Sequence, residues 1–158
     1  MVLRWPDGIA DPGRRVDELV SLNDVAPTML ELAGLPVDEG RYSGDSLMPF
    51  VRAEGPEWRD ALYFQCDGVE LYFSQRQVLT KEFKYVFNGF DRDELYDLRT
   101  DPDEMINVAD DPDYEEVKRR MCARMWRFAE AEDDGIVSTG YITVGFAPVG
   151  PMAAFRDE

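Results

Sequence analysis

Phe83-Lys84-Tyr85-Val86-Phe87-Asn88, a short polar interval over 89–93, then Glu94-Leu95-Tyr96-Asp97-Leu98: this stretch decides the fold. Phe83, Tyr85 and Phe87 alternate with Lys84, Val86 and Asn88, and a period of two belongs to a strand with one buried aromatic face. Working backwards, Lys81-Glu82 turns the chain. Before it, Ala61 to Gln65, Val69 to Phe73 and Gln75 to Thr80 are rich in aromatic and β-branched residues. Cys66-Asp67-Gly68 reads as a tight turn and Gln75 to Thr80 as a continuation of the second strand. Four strands on short connections predict an antiparallel sheet.

Working forwards, Asp110-Asp111-Pro112-Asp113 starts a helix: an acidic cap, proline in the first turn, and carboxylates at the positive end of the dipole. Tyr114, Val117, Met121, Met125 and Phe128 follow at spacings of 3, 4, 4 and 3, with Trp126 and Ala129 beside them. Lys118, Arg119, Arg120, Arg124 and Arg127 take the other positions. Such a stripe is a packing surface, and the sheet is its partner. Upstream, a second helix is expected over 24–33. Asp24 or Asn23 would cap it, Pro27 sits in its first turn, Val25, Met29, Leu32 and Ala33 form a stripe, and Gly34 ends it. Met1 to Trp5 reads as a short strand, and residues 35–60 as a long excursion punctuated by Gly and Pro. The expected organisation is therefore a strand, loop, helix and long loop over 1–58, a sheet plus helix over 59–133, and an irregular tail over 134–158.

Composition narrows the chemistry. Of 158 residues 33 are acidic, 17 basic and none is histidine, for a formal charge of −16. Residues 61–100, the sheet, are nearly neutral, and the flanks carry most of the acidity. A surface this acidic disfavours nucleic acid and anionic membranes. The absence of histidine excludes imidazole bases, Ser-His-Asp and Cys-His catalysis, and His-ligated zinc. Two cysteines, Cys66 and Cys122, cannot form a disulfide framework, and two buried thiols or one bridge are both open. No apolar run is long enough to span a membrane, and the first residues have no signal-peptide layout, so localisation stays open.

Candidate sites are few and poorly matched to any chemistry. Asp91-Arg92-Asp93-Glu94 begins like a calcium-binding loop, but Tyr96 stands where glycine is required and Pro102 where the closing Glu belongs. Asp97, Asp101, Asp103 and Glu104 are read as a turn into a helix. Arg14, Arg15, Arg76 and Lys84 are basic residues that an anionic ester would meet, and with 33 acids available they are read as surface ion pairs. No catalytic, cofactor-binding or metal-binding residue is assigned within 1–158.

Val2-Leu3-Arg4-Trp5-Pro6, Asp24-Val25-Ala26-Pro27-Thr28 through Gly34, and Gly44-Asp45-Ser46-Leu47 form one ordered series. Phe83-Lys84-Tyr85-Val86, Glu94-Leu95-Tyr96-Asp97-Leu98, Asp101-Pro102-Asp103-Glu104 and Asn107-Val108-Ala109 continue it. In this order the segments resemble the C-terminal part of a sulfatase of the alkaline-phosphatase-like superfamily, over about residues 1–132. The resemblance implies an α+β fold: a small four-stranded antiparallel sheet packed by a long C-terminal helix. A strand/helix segment belonging to a larger α/β domain would precede it. It also implies a parent enzyme with a formylglycine made from a Cys/Ser-x-Pro/Ala-x-Arg motif and a calcium or magnesium ion. Neither Cys66 (followed by Asp67-Gly68-Val69-Glu70) nor Cys122 (followed by Ala123-Arg124-Met125-Trp126) carries that motif. The chain is thus expected to be a C-terminal fragment, inactive alone. Its expected partner is an N-terminal catalytic domain acting on a sulfate-ester small molecule or glycan. The alternatives are a non-catalytic binding or dimerisation module that self-associates through exposed apolar surface, or a fragment of a phosphonate or phosphate ester hydrolase.

Overall fold

The computed structural model describes residues 1–38, 40–68, 74–89, 91–139 and 147–150. The chain divides into two compact units, Met1–Leu62 and Tyr63–Glu158.

In the first unit, a single 3-10 turn, Leu22–Asp24, leads into α1, Val25–Leu32. Ser21 caps the turn, its hydroxyl accepting from the Asn23 N–H at 3.1 Å while the Asp24 carboxylate reaches back to the Ser21 N–H at 2.7 Å. This reciprocal pair satisfies two otherwise orphaned donors. Ser21 thus caps the 3-10 turn; Asp24 holds the N-cap position of α1, as expected, but its side chain bonds back to Ser21 instead of capping α1. Gly34 adopts φ +70°, with Gly34 N–H donating to Glu31 and Leu35 N–H to Leu30. That double bond is a Schellman ending, which the left-handed glycine permits. The buried face of α1 is Pro27 and Thr28, whereas Met29, expected in the apolar stripe, is 59% exposed. The long excursion contains one short helix, α2 (Met48–Val51), whose Met48 and Val51 are buried. Residues 1–5 do not form the expected strand. A strand needs a partner for its backbone groups, and the described residues give it none.

The second unit, together with the start of its first strand, holds the sheet: β1 (Ala61–Asp67), β2 (Ser74–Thr80), β3 (Phe83–Asn88) and β4 (Glu94–Asp97), in the order β1-β2-β3-β4. The four-stranded antiparallel expectation holds. Cys66 and Asp67 finish β1 instead of turning the chain. The strand expected over Val69–Phe73 lies outside the described residues. Val78 faces Tyr85, and Tyr85 faces Leu95; all three are fully buried in one row across three strands. Arg76 faces Phe87, so it stands in this same layer. β3 is buried on its other face as well, at Val86 and Asn88, as suits a central strand. The segment after β4 covers its outer edge: Val108 N–H donates to the Leu95 carbonyl (2.9 Å), and the Asn107 side chain accepts from Leu95 N–H (3.0 Å). An edge covered in this way cannot recruit another strand.

After a 3-10 turn, Pro112–Tyr114, capped by the Asp111 side chain, α3 runs from Glu115 to Ala131. Met121, Cys122, Met125, Trp126 and Ala129 are its buried residues. Phe87 meets Trp126 edge-on, ring centroids 5.6 Å apart, so α3 lies on the Tyr85/Phe87 face. Tyr63 of β1 stacks on Phe128 at 5.9 Å. Such aromatic pairs contribute about 0.5–1.5 kcal/mol beyond the area they bury. A short helix, α4 (Ile136–Thr139), comes next.

Candidate functional site

Two buried charge clusters stand out, one in each unit. In the first, Asp24 is fully buried and its carboxylate accepts four hydrogen bonds. Ser21 N–H and Asp45 N–H donate at 2.7 and 3.0 Å, and Arg59 donates from Nη1 and Nη2 at 3.0 and 2.7 Å. Arg59 also binds Asp45 Oδ2 at 2.7 Å and lies over the Trp58 ring, 4.6 Å from its centroid. Burial opposes the charge on Arg59, but hydrogen bonds to Asp24 and Asp45 outweigh it and raise its pKa. Thr28 completes the arrangement: its hydroxyl donates to the Asp24 carbonyl at 2.5 Å and accepts from Leu47 N–H at 2.8 Å. Gly44 is needed for this close approach, because a Cβ there would stand 2.3 Å from the Asn23 carbonyl carbon. With both oxygens doubly engaged, Asp24 is a fastener for the 44–47 loop and the Trp58-Arg59 segment. It has no lone pair left for a metal.

The second cluster centres on Arg76, whose side chain is 3% exposed. It meets the equally buried Asp134 in a fork, Nε to Oδ2 at 2.5 Å and Nη2 to Oδ1 at 2.8 Å. It also meets Asp67 through Nη1 at 2.8 Å. The Tyr63 hydroxyl donates to Asp134 Oδ2 at 2.6 Å. Burial works against the Asp134 carboxylate, yet the hydrogen bonds from Arg76 and Tyr63 prevail and hold its pKa at about 2. Burial first, then Asp134, pushes the Tyr63 phenol well above its ordinary value. Arg76 must be paired: a lone cation in the sheet–helix layer would cost several kcal/mol. The charge is thus locked into structure.

The other residues singled out by sequence are engaged as well. Arg14 donates to the Ala10, Asp11 and Phe50 carbonyls. Arg15 pairs with Asp17 at the surface, and Lys84 with Glu104. Arg14, Arg15, Arg76 and Lys84 each have their own partners. Asp97 is held by Arg99, whose hydrogen bond is the main reason its pKa falls to about 2; Tyr114 also donates to it at 3.2 Å. Asp101 accepts from Ile106 N–H, closing a turn. Among the described residues no group of three Cys, Asp or Glu side chains is placed to hold a metal ion. Cys122 is buried, which raises its thiol pKa, and Cys66 is exposed on β1; both are free thiols. Neither environment fits a formylglycine nucleophile or a divalent ion.

Arg59, Tyr63 and Asp134 are members of the two clusters that sequence reasoning did not single out. For Asp134 a signal existed. Glu132-Asp133-Asp134 places three carboxylates at the negative end of a helix, where they need a cation to be tolerated. Arg59, 35 residues from Asp24, has no local signal.

The family model described as "N-sulphoglucosamine sulphohydrolase, C-terminal" matches residues 1–131. The ulvan-active sulfatase of Formosa agariphila is 26% identical over 166 aligned positions, covering 84% of this chain and 33% of its own. A solved 2-O GAG sulfatase superposes with a TM-score of 0.67 at 28% identity, over 73% of this chain and 26% of that one. The phosphonate monoester hydrolase of Agrobacterium radiobacter gives a TM-score of 0.57 at 31% identity, over 77% and 25%. The chain spans about half the length, or less, of the curated relatives it matches.

Proposed function

The chain belongs to the N-sulphoglucosamine sulphohydrolase C-terminal family, the C-terminal domain of sulfatases, and from that premise we propose that its residues support sulfuric ester hydrolysis carried out by a separate N-terminal catalytic domain. The observation that carries this reading is the family match over residues 1–131, in a chain a fraction of its relatives' length. In this reading the formylglycine nucleophile and the calcium or magnesium ion belong to the catalytic domain. Residues 1–158 buttress that domain and form one wall of the cleft that receives a sulfate ester or sulfated glycan. The Asp24–Arg59–Asp45 clamp would give that wall a fixed shape, because both Asp24 oxygens are doubly engaged and Arg59 joins the two carboxylates.

Two observations favour other readings. The likeness to a phosphonate monoester hydrolase fits a parent that cleaves phosphonate or phosphate esters. Exposed apolar residues such as Val2 (94%) and Leu22 (85%) fit a module that self-associates. One set of experiments separates the support role from the self-associating module. Purified chain with calcium or magnesium is assayed against an aryl sulfate and an aryl phosphonate, and sedimented at several concentrations. The support role predicts no metal-dependent turnover of either ester, and a monomer at every concentration would count against the self-associating module. Turnover by the chain, with contaminating hydrolases excluded, would overturn it.

A further inference from the structure

We propose that residues 134–136 and 148–149, which lie beyond the family match, act together as a strap on the sheet–helix unit. The match ends at residue 131, yet two buried side chains, Arg76 and Trp126, take hydrogen-bond partners from positions past that end.

The first anchor begins where α3 stops. Asp133 adopts φ +51°, Asp133 N–H donates to Glu130 and Asp134 N–H to Ala129 at 2.8 Å. This is a Schellman ending with aspartate in the left-handed place usually filled by glycine. It turns Asp134 back toward the sheet, where its carboxylate receives Arg76 and Tyr63. The same carboxylate accepts Ile136 N–H at 3.0 Å, and Ile136 is 4% exposed. The buried Arg76 is therefore neutralised chiefly by a residue outside the family match, since its other partner, Asp67, is 59% exposed.

The second anchor is the Val149 carbonyl. Trp126 Nε1 donates to it at 2.6 Å, and Cys122 Sγ approaches it at 3.5 Å. Next to it, the Pro148 carbonyl accepts from Arg119 at 3.2 Å. Positions 119, 122 and 126 lie on one side of α3, so residues 148–149 run along the helix. Trp126 is fully buried, and a buried indole N–H without an acceptor is costly. Its acceptor comes from the strap. The strap has the same role whichever ester the parent cleaves.

Cys122 reports on the second anchor. In a Cys66→Ser background its reaction with Ellman's reagent is measured for the full chain, for Trp126→Phe, and for a chain ending at residue 146. The full chain should react slowly. Trp126→Phe, which removes one hydrogen bond while keeping an aromatic ring, should react about tenfold faster with unchanged far-UV circular dichroism, as the loss of about 1.4 kcal/mol implies. The shortened chain should react faster still or lose its fold, either of which places the strap inside the folded unit. Equal thiol rates in all three proteins would overturn the proposal.

Discussion

The two units of this chain are organised in opposite ways. Tyr63–Glu158 has a hydrophobic interior, with Val78, Tyr85, Leu95, Met125 and Trp126 fully buried, and the charges buried within it, Arg76 and Asp134, are paired with each other. Met1–Leu62 is organised around a buried carboxylate, Asp24, and exposes apolar side chains: Val2, Leu22, Met1, Met29 and Leu35 are each more than half exposed. The hydrophobic effect explains the first arrangement outright. The second adds to a small apolar core, with Leu47, Met48 and Val51 buried, hydrogen bonds that contribute little net stability each, so its order relies on their completeness.

The comparison breaks most readily at its charges. Arg76→Ala leaves Asp134 buried without its cation and should cost about 3–5 kcal/mol, read as a lower denaturation midpoint for the sheet–helix unit. A loss below about 1 kcal/mol would mean that this unit does not depend on the pair. Gly44→Ala should affect the first unit instead. The new methyl collides with the Asn23–Asp24 backbone, and overpacking of this sort costs about 1–3 kcal/mol. Hydrogen exchange should show α1 loosened and β3 unchanged; equal loosening of both would contradict separate organisation.

Acid gives a smaller effect with a definite sign. The Asp134 carboxyl is held at about 2, below its ordinary 3.8. The unfolded chain therefore binds this proton first, so the stabilisation is complete above about pH 4 and is lost as pH falls toward 2. The loss should be on the order of 1–2 kcal/mol with allowance for solvent screening. Asp134→Asn should remove that dependence from the unfolding midpoint; an unchanged acid profile would detach it from Asp134. Smallest of all, Leu22→Ser should change stability by less than about 0.5 kcal/mol, because Leu22 is 85% exposed. A loss above about 1 kcal/mol in thermal unfolding would show that Leu22 is covered in solution.

The same contrast explains what sequence reveals. The sheet and α3 were legible because a hydrophobic core writes itself as periodicity: Phe83, Tyr85 and Phe87 at period two, Met121 and Met125 at helical spacing. The first unit writes no such pattern. The stripe through Val25, Met29 and Leu32 holds only in part: Val25 and Leu32 are half-buried beside buried Thr28, while Met29 is exposed. Its organising pair joins Asp24 to Arg59, too far apart for any local rule. Asp24, Thr28 and Gly44 were nonetheless visible as motif residues, although their shared task, holding one loop against one helix turn, emerges only in three dimensions. Asp134 was hidden for another reason: it lies past the end of an evident helix, where an irregular tail is the natural reading.

Site-resolved hydrogen exchange on the isolated chain tests the central contrast most directly. Amides of β2, β3 and α3 should exchange only through global unfolding of their unit, while those of α1 should exchange at least about 100-fold faster, a difference of roughly 2.7 kcal/mol in local stability. Equal protection in α1 and β3 would contradict the account, because the first unit would then be as self-sufficient as the second.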